Sequence, residues 1–180
     1  MSNILVIVDV QNGYLRNERS LVIVDKIQSL IERDIFDKVV AVRLLQDENS
    51  VLSRCLQTKY DNQLRFSDIP FGFLDHINSI LGRTTSNFVN SEFLSNVTSL
   101  NDGKYPDKIF IAGRHIDNTV LVGAVGLMDA NIRPIVLSYY CGSSGYDDDF
   151  EAGKRCLCSA IGYNQIFEGV IRNKEQLDKI

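Results

Sequence analysis

The stretch ILVIVDVQNGYL, residues 4–15, decides the fold of this chain. Five consecutive apolar residues, Ile4 to Val8, form a run that ends at Asp9. A continuous apolar run of this length is typical of a parallel strand that is covered on both faces. In open α/β sheets, ligands bind just beyond the carboxyl ends of the strands. The stretch therefore predicts a buried first strand that presents Asp9 at the ligand-binding edge.

Strand-like and helix-like segments alternate along the rest of the chain. Short apolar runs predict further strands, and apolar residues at helical spacing predict helices between them. This alternation predicts a three-layer α/β/α sandwich with a mostly parallel, Rossmann-like sheet, as one domain over residues 1–180. The predicted strands are 4–8, 38–44, 78–81, 108–112, 135–138 and 165–170; the helices include Ile23, Ile27, Leu30 and Ile31, Val120, Ala124, Leu127 and Met128, a segment capped by Asn90 or Ser91, and 150–161.

Composition excludes several classes of protein. The net charge of −4 offers no cationic field for a phosphate backbone, so we expect no nucleic-acid partner. The first residues lack the basic region of a secretory signal, and their apolar run is too short to span a membrane, so we expect a cytoplasmic protein without membrane contact. The four cysteines form no CxxC pair and only two histidines accompany them, which argues against a zinc site.

Three segments resemble the isochorismatase-like family of hydrolases, also called the cysteine hydrolases. Residues 4–15 resemble the opening strand of that family, and IFIAGRHIDNTVLVGAVGLMDANIRPIVL, residues 109–137, resembles its second signature. The segment GRTTSNF, residues 82–88, resembles the part that contains the catalytic lysine and a serine-small-phenylalanine triplet. The resemblance implies the same α/β/α fold and a homo-oligomer, dimer or higher.

The resemblance also assigns roles to three residues. Asp9 falls on the catalytic acid or base, Arg83 is the nearest candidate for the lysine, and Thr119 stands at the position of the nucleophilic cysteine. Two residues of the Asp–Lys–Cys triad have therefore changed. A threonine hydroxyl is much harder to ionise than a thiol, and known threonine nucleophiles depend on an activating amine or comparable base.

Three functions remain open on these residues. One branch of the family hydrolyses the vinyl ether of isochorismate without a cysteine, which implies a small-molecule hydrolase in which Asp9 is the general acid and Thr119 shapes the pocket. The second is a catalytically degenerate member that keeps the fold as a ligand-binding or scaffold protein. The third is a hydrolase with an unusual nucleophile, either Thr119 or Cys141, which follows a predicted strand on the ligand side.

The remaining candidate residues surround the predicted ligand edge. No cofactor is expected, and no metal either, because the Asp-x-His ligands of related nicotinamidases are replaced here by RLLQDENSV, residues 43–51. The acidic run 147–149 is expected to favour the positive end of the helix that follows. The candidate contacts to a small-molecule substrate are Gln11, Tyr14, Phe88, His115, Ile116 and Cys141.

Overall fold

The computed structural model describes residues 2–15, 17–56, 67–143, 145 and 147–180. The strands within them are β1 (Ile4–Val8), β2 (Lys38–Leu44), β3 (Ser79–Arg83), β4 (Lys108–Arg114), β5 (Arg133–Gly142) and β6 (Ile166–Phe167). They form a parallel six-stranded sheet with the strand order β3-β2-β1-β4-β5-β6. This confirms the predicted three-layer α/β/α fold.

Helices cover both faces of the sheet. In β1 alternate side chains point to opposite faces: Ile4, Val6 and Val8 pack in one apolar cluster, while Leu5 and Ile7 pack in another. The helices are α1 (Glu18–Ile31), α2 (Val51–Leu56), α3 (Ser91–Leu100), α4 (Thr119–Asp129), α5 (Asp147–Ile161) and α6 (Lys174–Asp178). The first cluster lies under α3, α4 and α5, and the second lies under α1 and α6.

The burial of β1 explains why its sequence is apolar without alternation. All five of its residues are buried, as the continuous run predicts. Burying a side chain of this size contributes roughly 1.5–3 kcal/mol, so the central strand is a main source of the stability of the fold.

Four predicted strands have wrong boundaries. The strand β3 covers Ser79–Arg83 instead of 78–81. β4 continues past Gly113 to Arg114, and β5 extends from Arg133 to Gly142 instead of covering only 135–138. A bulge is the reason, since Ile111 pairs with Val136 but Gly113 pairs with Cys141. The last strand, β6, has two residues rather than the six of 165–170, and it pairs with β5 at Val136 and Leu137.

The helix predictions are confirmed, with differences at the boundaries. Asn90 is the N-cap of α3, and its side chain accepts a hydrogen bond from the backbone N–H of Phe93. Helix α5 begins at Asp147, so the acidic run forms its first turn instead of preceding it. On α4 the stripe is buried at Val120, Ala124 and Leu127, but Met128 is exposed.

Between β2 and β3 the described residues contain two short elements. These are helix α2 and a 3-10 helix at Phe71–His76. Residues 57–66 lie outside the described residues.

The strand order fixes where a ligand-binding crevice can form. Successive strands run outward from β1 to β3 on one side, and the chain then returns to β4 on the other side of β1. A crevice in such a sheet opens at this reversal, beyond the carboxyl ends of β1 and β4. Asp9 follows the first of these strands, and the loop 115–118 follows the second.

Candidate active site

Asp9 is held in an unusual backbone conformation at the reversal of strand order. It follows β1 with a φ of 54°, and its side chain is fully buried. Its backbone N–H donates to the carbonyl oxygen of Val42 on β2. Non-glycine residues with positive φ are uncommon and persist only where surrounding contacts hold them. The aspartate is therefore fixed by backbone contacts as well as by its side chain.

Gly113 lets β4 approach the end of β1. Its φ is 126°, and a Cβ atom at this position would lie 2.2 Å from the carbonyl oxygen of Val8. Only glycine fits this close backbone contact. The glycine of the second signature therefore brings the loop 115–118 and the start of α4 up to Asp9.

Arg83 reaches Asp9 from the last position of β3, across the end of β2. Its Nε donates to Oδ1 of Asp9 over 3.1 Å, and one terminal nitrogen donates to Oδ2. The two side chains are 4% and 0% exposed. This is a buried, two-point ion pair, the strong geometry for an arginine and a carboxylate. The other terminal nitrogen donates to the carbonyl oxygen of Thr85.

Thr119 is the first residue of α4 and completes the group. Its Oγ1 accepts a hydrogen bond of 3.1 Å from the same terminal nitrogen of Arg83 that binds Asp9. No hydrogen bond among the described residues joins Thr119 to Asp9. The structure thus brings together the three residues at the triad positions, with the arginine between the other two.

Three of the candidate substrate contacts have their side chains engaged within the protein. The side-chain amide of Gln11 bonds to both the N–H and the carbonyl oxygen of Leu44, at 2.7 Å and 3.1 Å. Phe88 is buried and packs edge-to-face on Phe93. Ile116 is fully buried in the core, and its N–H donates to the carbonyl oxygen of Gly142. These contacts tie the crevice loops to the strands beside them.

The rings of Tyr14 and His115 pack edge-to-face just beyond the end of β4, with their centroids 5.3 Å apart. Burial lowers the pKa of His115 below its usual range, and the neighbouring charge of Arg114 lowers it further. Nδ1 of His115 is buried without a hydrogen-bond partner among the described residues. A neutral imidazole is the form that this environment favours.

Cys141 lies at the end of β5, buried beside Gly113 of β4. Burial raises the pKa of its thiol to about 12, and its Sγ donates to the carbonyl oxygen of Leu137. A nucleophilic cysteine needs a lowered pKa instead, so that its thiolate is present at neutral pH. This environment supports an inert thiol.

Arg114 borders this region and was not predicted from the sequence. It is buried at the end of β4, and its guanidinium donates to the backbone carbonyl oxygens of Tyr14 and Ser143 and to the hydroxyl of Ser20. A signal was present, because an arginine directly follows the glycine that ends the apolar run 109–112.

The described part of the chain has neither a candidate metal cluster nor a candidate membrane-spanning helix. No group of three or more histidine, cysteine, aspartate or glutamate side chains there is arranged to hold a metal ion. None of the helices in that part is long and apolar enough to cross a membrane.

The fold matches solved structures of hydrolases, although no family model and no curated protein matches the sequence. An isochorismatase-like hydrolase from Alkaliphilus metalliredigens superposes with a TM-score of 0.76 at 14% identity, covering 99% of this chain and 98% of that one. The nicotinamidase of Bacillus subtilis gives 0.75 at 18% identity, covering 93% and 100%. PnC1 from L. infantum, solved in complex with nicotinate, gives 0.70 at 15% identity, covering 92% and 95%. This chain therefore has the fold shared by isochorismatase-like hydrolases and nicotinamidases.

Proposed function

We propose that this chain is a catalytically degenerate protein of the isochorismatase-like fold, which binds a small molecule without hydrolysing it. One observation carries the proposal: the guanidinium of Arg83 occupies both oxygens of Asp9 in a fully buried ion pair. To act as a general acid, Asp9 would first have to take up a proton. That would leave a buried guanidinium without its counterion, which is energetically costly, and an arginine does not lose its own proton in proteins.

The contacts of Thr119 support the same proposal. A nucleophilic hydroxyl needs a base within hydrogen-bond reach to take its proton. Thr119 instead accepts a hydrogen bond from a cation, Arg83. Such a contact stabilises the resting threonine and does not activate it.

The test is turnover on a panel of substrates. We expect the wild-type protein to leave isochorismate, nicotinamide and a set of small amides unchanged above the background of a buffer control. Asp9→Asn should leave that result the same. The exposed substitution Glu175→Gln is the matched control, because it also removes one carboxylate charge from an ion pair. Turnover that Asp9→Asn abolishes and Glu175→Gln preserves would overturn the proposal.

A second candidate is hydrolysis by Asp9 without a cysteine. The observation that favours it is the convergence of Asp9, Arg83 and Thr119 at the reversal of strand order, where the positive end of α4 meets the carboxyl end of β1. In this mechanism Thr119→Ala keeps most of the activity, whereas Asp9→Asn removes it. Equal, near-complete losses in both variants would instead make Thr119 a nucleophile.

Asp9→Asn needs a folding control in either case. The ion pair is buried, so this variant is expected to be less stable as well as inactive. Circular dichroism at the assay temperature shows whether each variant is folded. Arg83→Lys retains the positive charge beside Asp9 and restores the residue type of the related hydrolases, so it tests the pair with less disturbance.

The proposal extends to assembly and location. We propose that the protein is a cytoplasmic homo-oligomer, dimer or higher, that takes small molecules and no nucleic acid as partners. The binding of nicotinate to PnC1 from L. infantum shows that a protein of this fold binds a small organic acid. Light scattering on the purified protein measures the oligomeric state, and a monomer at micromolar concentration would contradict this part.

A further inference from the structure

A cavity of about 430 Å³ opens beside Arg114, away from the Asp9 group. It lies between the first turn of α1, the ends of β4 and β5, and the first turn of α5. Asp9, Arg83 and Thr119 do not line it. Its volume is in the range of sites that hold small organic molecules. A separate ligand site at this edge of the sheet is therefore physically reasonable.

Arg114 is a buried cation that borders the cavity without an ion-pair partner among the described residues. Its acceptors are two backbone carbonyl oxygens, at 2.7 Å on Tyr14 and 3.0 Å on Ser143, and the hydroxyl of Ser20. Its Nε is buried and has no hydrogen-bond partner among those residues. Burial lowers the pKa of Arg114, and the nearby charges of Tyr14, Asp117 and Asp9 partly oppose that shift. A buried charge in proteins is usually paired. In the described part of the chain, however, no carboxylate lies within ion-pair distance of this guanidinium.

Gly142 leaves room next to this unpaired nitrogen. A Cβ atom at Gly142 would lie 3.7 Å from Nε of Arg114 and 3.2 Å from the Ile23 side chain. Any larger residue would fill the space beside the guanidinium. Since Gly142 also lines the cavity, the position nearest to the buried cation is kept open.

The rest of the lining has mixed character. The amino-terminal ends of α1 and α5 border the cavity. The dipole of α1 favours a negative charge there, whereas the first turn of α5 already carries the carboxylates 147–149. Val22, Ile23 and Phe150 add an apolar wall. At the rim, Arg19 forms an exposed ion pair of 3.1 Å with Asp147, so its charge is largely compensated. Among the described residues that line the cavity, Arg114 is thus the cation without an ion-pair partner.

We propose that this cavity binds a small organic acid, with its carboxylate or phosphate directed to Arg114 and its apolar body against Val22 and Phe150. The inference rests on the ligand-binding part of the proposed function and names the site and the ligand class. It does not depend on the chemistry of Asp9.

The test measures binding of four probes by isothermal calorimetry and by amide chemical shifts. Phenylacetate and phenyl phosphate carry the anion and the apolar body, phenylacetamide is the neutral isostere, and inorganic phosphate lacks the apolar body. We expect at least one of the two aromatic anions to bind at millimolar concentration, at least tenfold more tightly than phenylacetamide and inorganic phosphate. The stronger of the two anions distinguishes a carboxylate ligand from a phosphate ligand.

Three variants locate the site. Arg114→Gln should raise the dissociation constant of the anion tenfold or more, because it removes one charged hydrogen bond. Because Arg114 also holds three segments together, its replacement could destabilise the protein, and a second variant is needed. Val22→Glu serves this purpose. Val22 is half exposed, so a carboxylate there repels the anion without disturbing the core. Arg155→Gln, on the exposed surface of α5, is the charge-matched control and should bind like wild type.

Two results would overturn the inference. One is the absence of binding by both aromatic anions, and the other is an affinity that neither Arg114→Gln nor Val22→Glu lowers. The proposed function fails separately, through turnover that depends on Asp9. Anion binding at Arg114 together with such turnover would refute the proposed function and retain this inference.

Discussion

Breaking the Asp9–Arg83 ion pair should destabilise the protein far more than breaking an exposed one. The side chains of the pair are 0% and 4% exposed, so removing one charge leaves the other buried and uncompensated. The usual cost of breaking such a pair is about 3–5 kcal/mol. For a chain of this length each kcal/mol lowers the melting temperature by about 2–4 °C, so Asp9→Asn should lower it by roughly 6–20 °C.

The matched comparison is the ion pair between Glu175 on α6 and Lys179, the residue that caps the end of this helix. Their side chains are 77% and 72% exposed, and the pair spans one helical turn. Pairs of this kind contribute about 0.3–0.5 kcal/mol. Glu175→Gln should therefore change the melting temperature by no more than about 2 °C. The same chemical change, the loss of one carboxylate charge, is thus measured in a buried and in an exposed setting.

A double-mutant cycle separates the ion pair from other effects of the substitutions. Urea unfolding at pH 7 gives the free energy of unfolding of wild type, Asp9→Asn, Arg83→Gln and the double variant. Because the double variant buries no uncompensated charge, its loss should be smaller than the sum of the single losses by about 1–3 kcal/mol. Two results would contradict a structural role for this ion pair. One is that the two single variants lose unfolding free energy additively, and the other is that Asp9→Asn loses less than about 1 kcal/mol.

Three further predictions concern His115, the cysteines and metal ions. Burial lowers the pKa of His115, so its stabilising contribution is complete above the ordinary value of 6.5 and is lost as the pH falls through the lower value of the folded state. Wild type should therefore lose more stability than His115→Gln between pH 7 and pH 5, and parallel unfolding curves would contradict this. Iodoacetamide at pH 7.5 should label the exposed Cys55 and Cys156 before the buried Cys141, as read by peptide mass spectrometry; rapid, stoichiometric labelling of Cys141 would revive it as a nucleophile. Protein purified without chelators should carry no stoichiometric divalent metal, and one zinc or iron per chain would be the contrary result.

The sequence by itself determined the layered α/β fold. The continuous apolar run 4–8 specifies a strand covered on both faces, and the helical spacing of residues such as Val120 and Ala124 specifies the covering layers. These patterns are local, because each consists of residues that are consecutive or nearly consecutive in the sequence. The sequence also indicated the positions of Asp9 and Thr119 through their placement at the end of a strand and the start of a helix.

Only the tertiary structure decided how the site residues meet. Arg83 and Asp9 are 74 positions apart, and neither segment predicts that the guanidinium binds both carboxylate oxygens. The bulge that brings Cys141 beside Gly113 is likewise a property of two paired strands. The cavity next to Arg114 depends on four separate segments and on the missing side chain of Gly142. Contacts of this kind depend on how distant segments pack in three dimensions, so they cannot be predicted from the periodicity of a single segment.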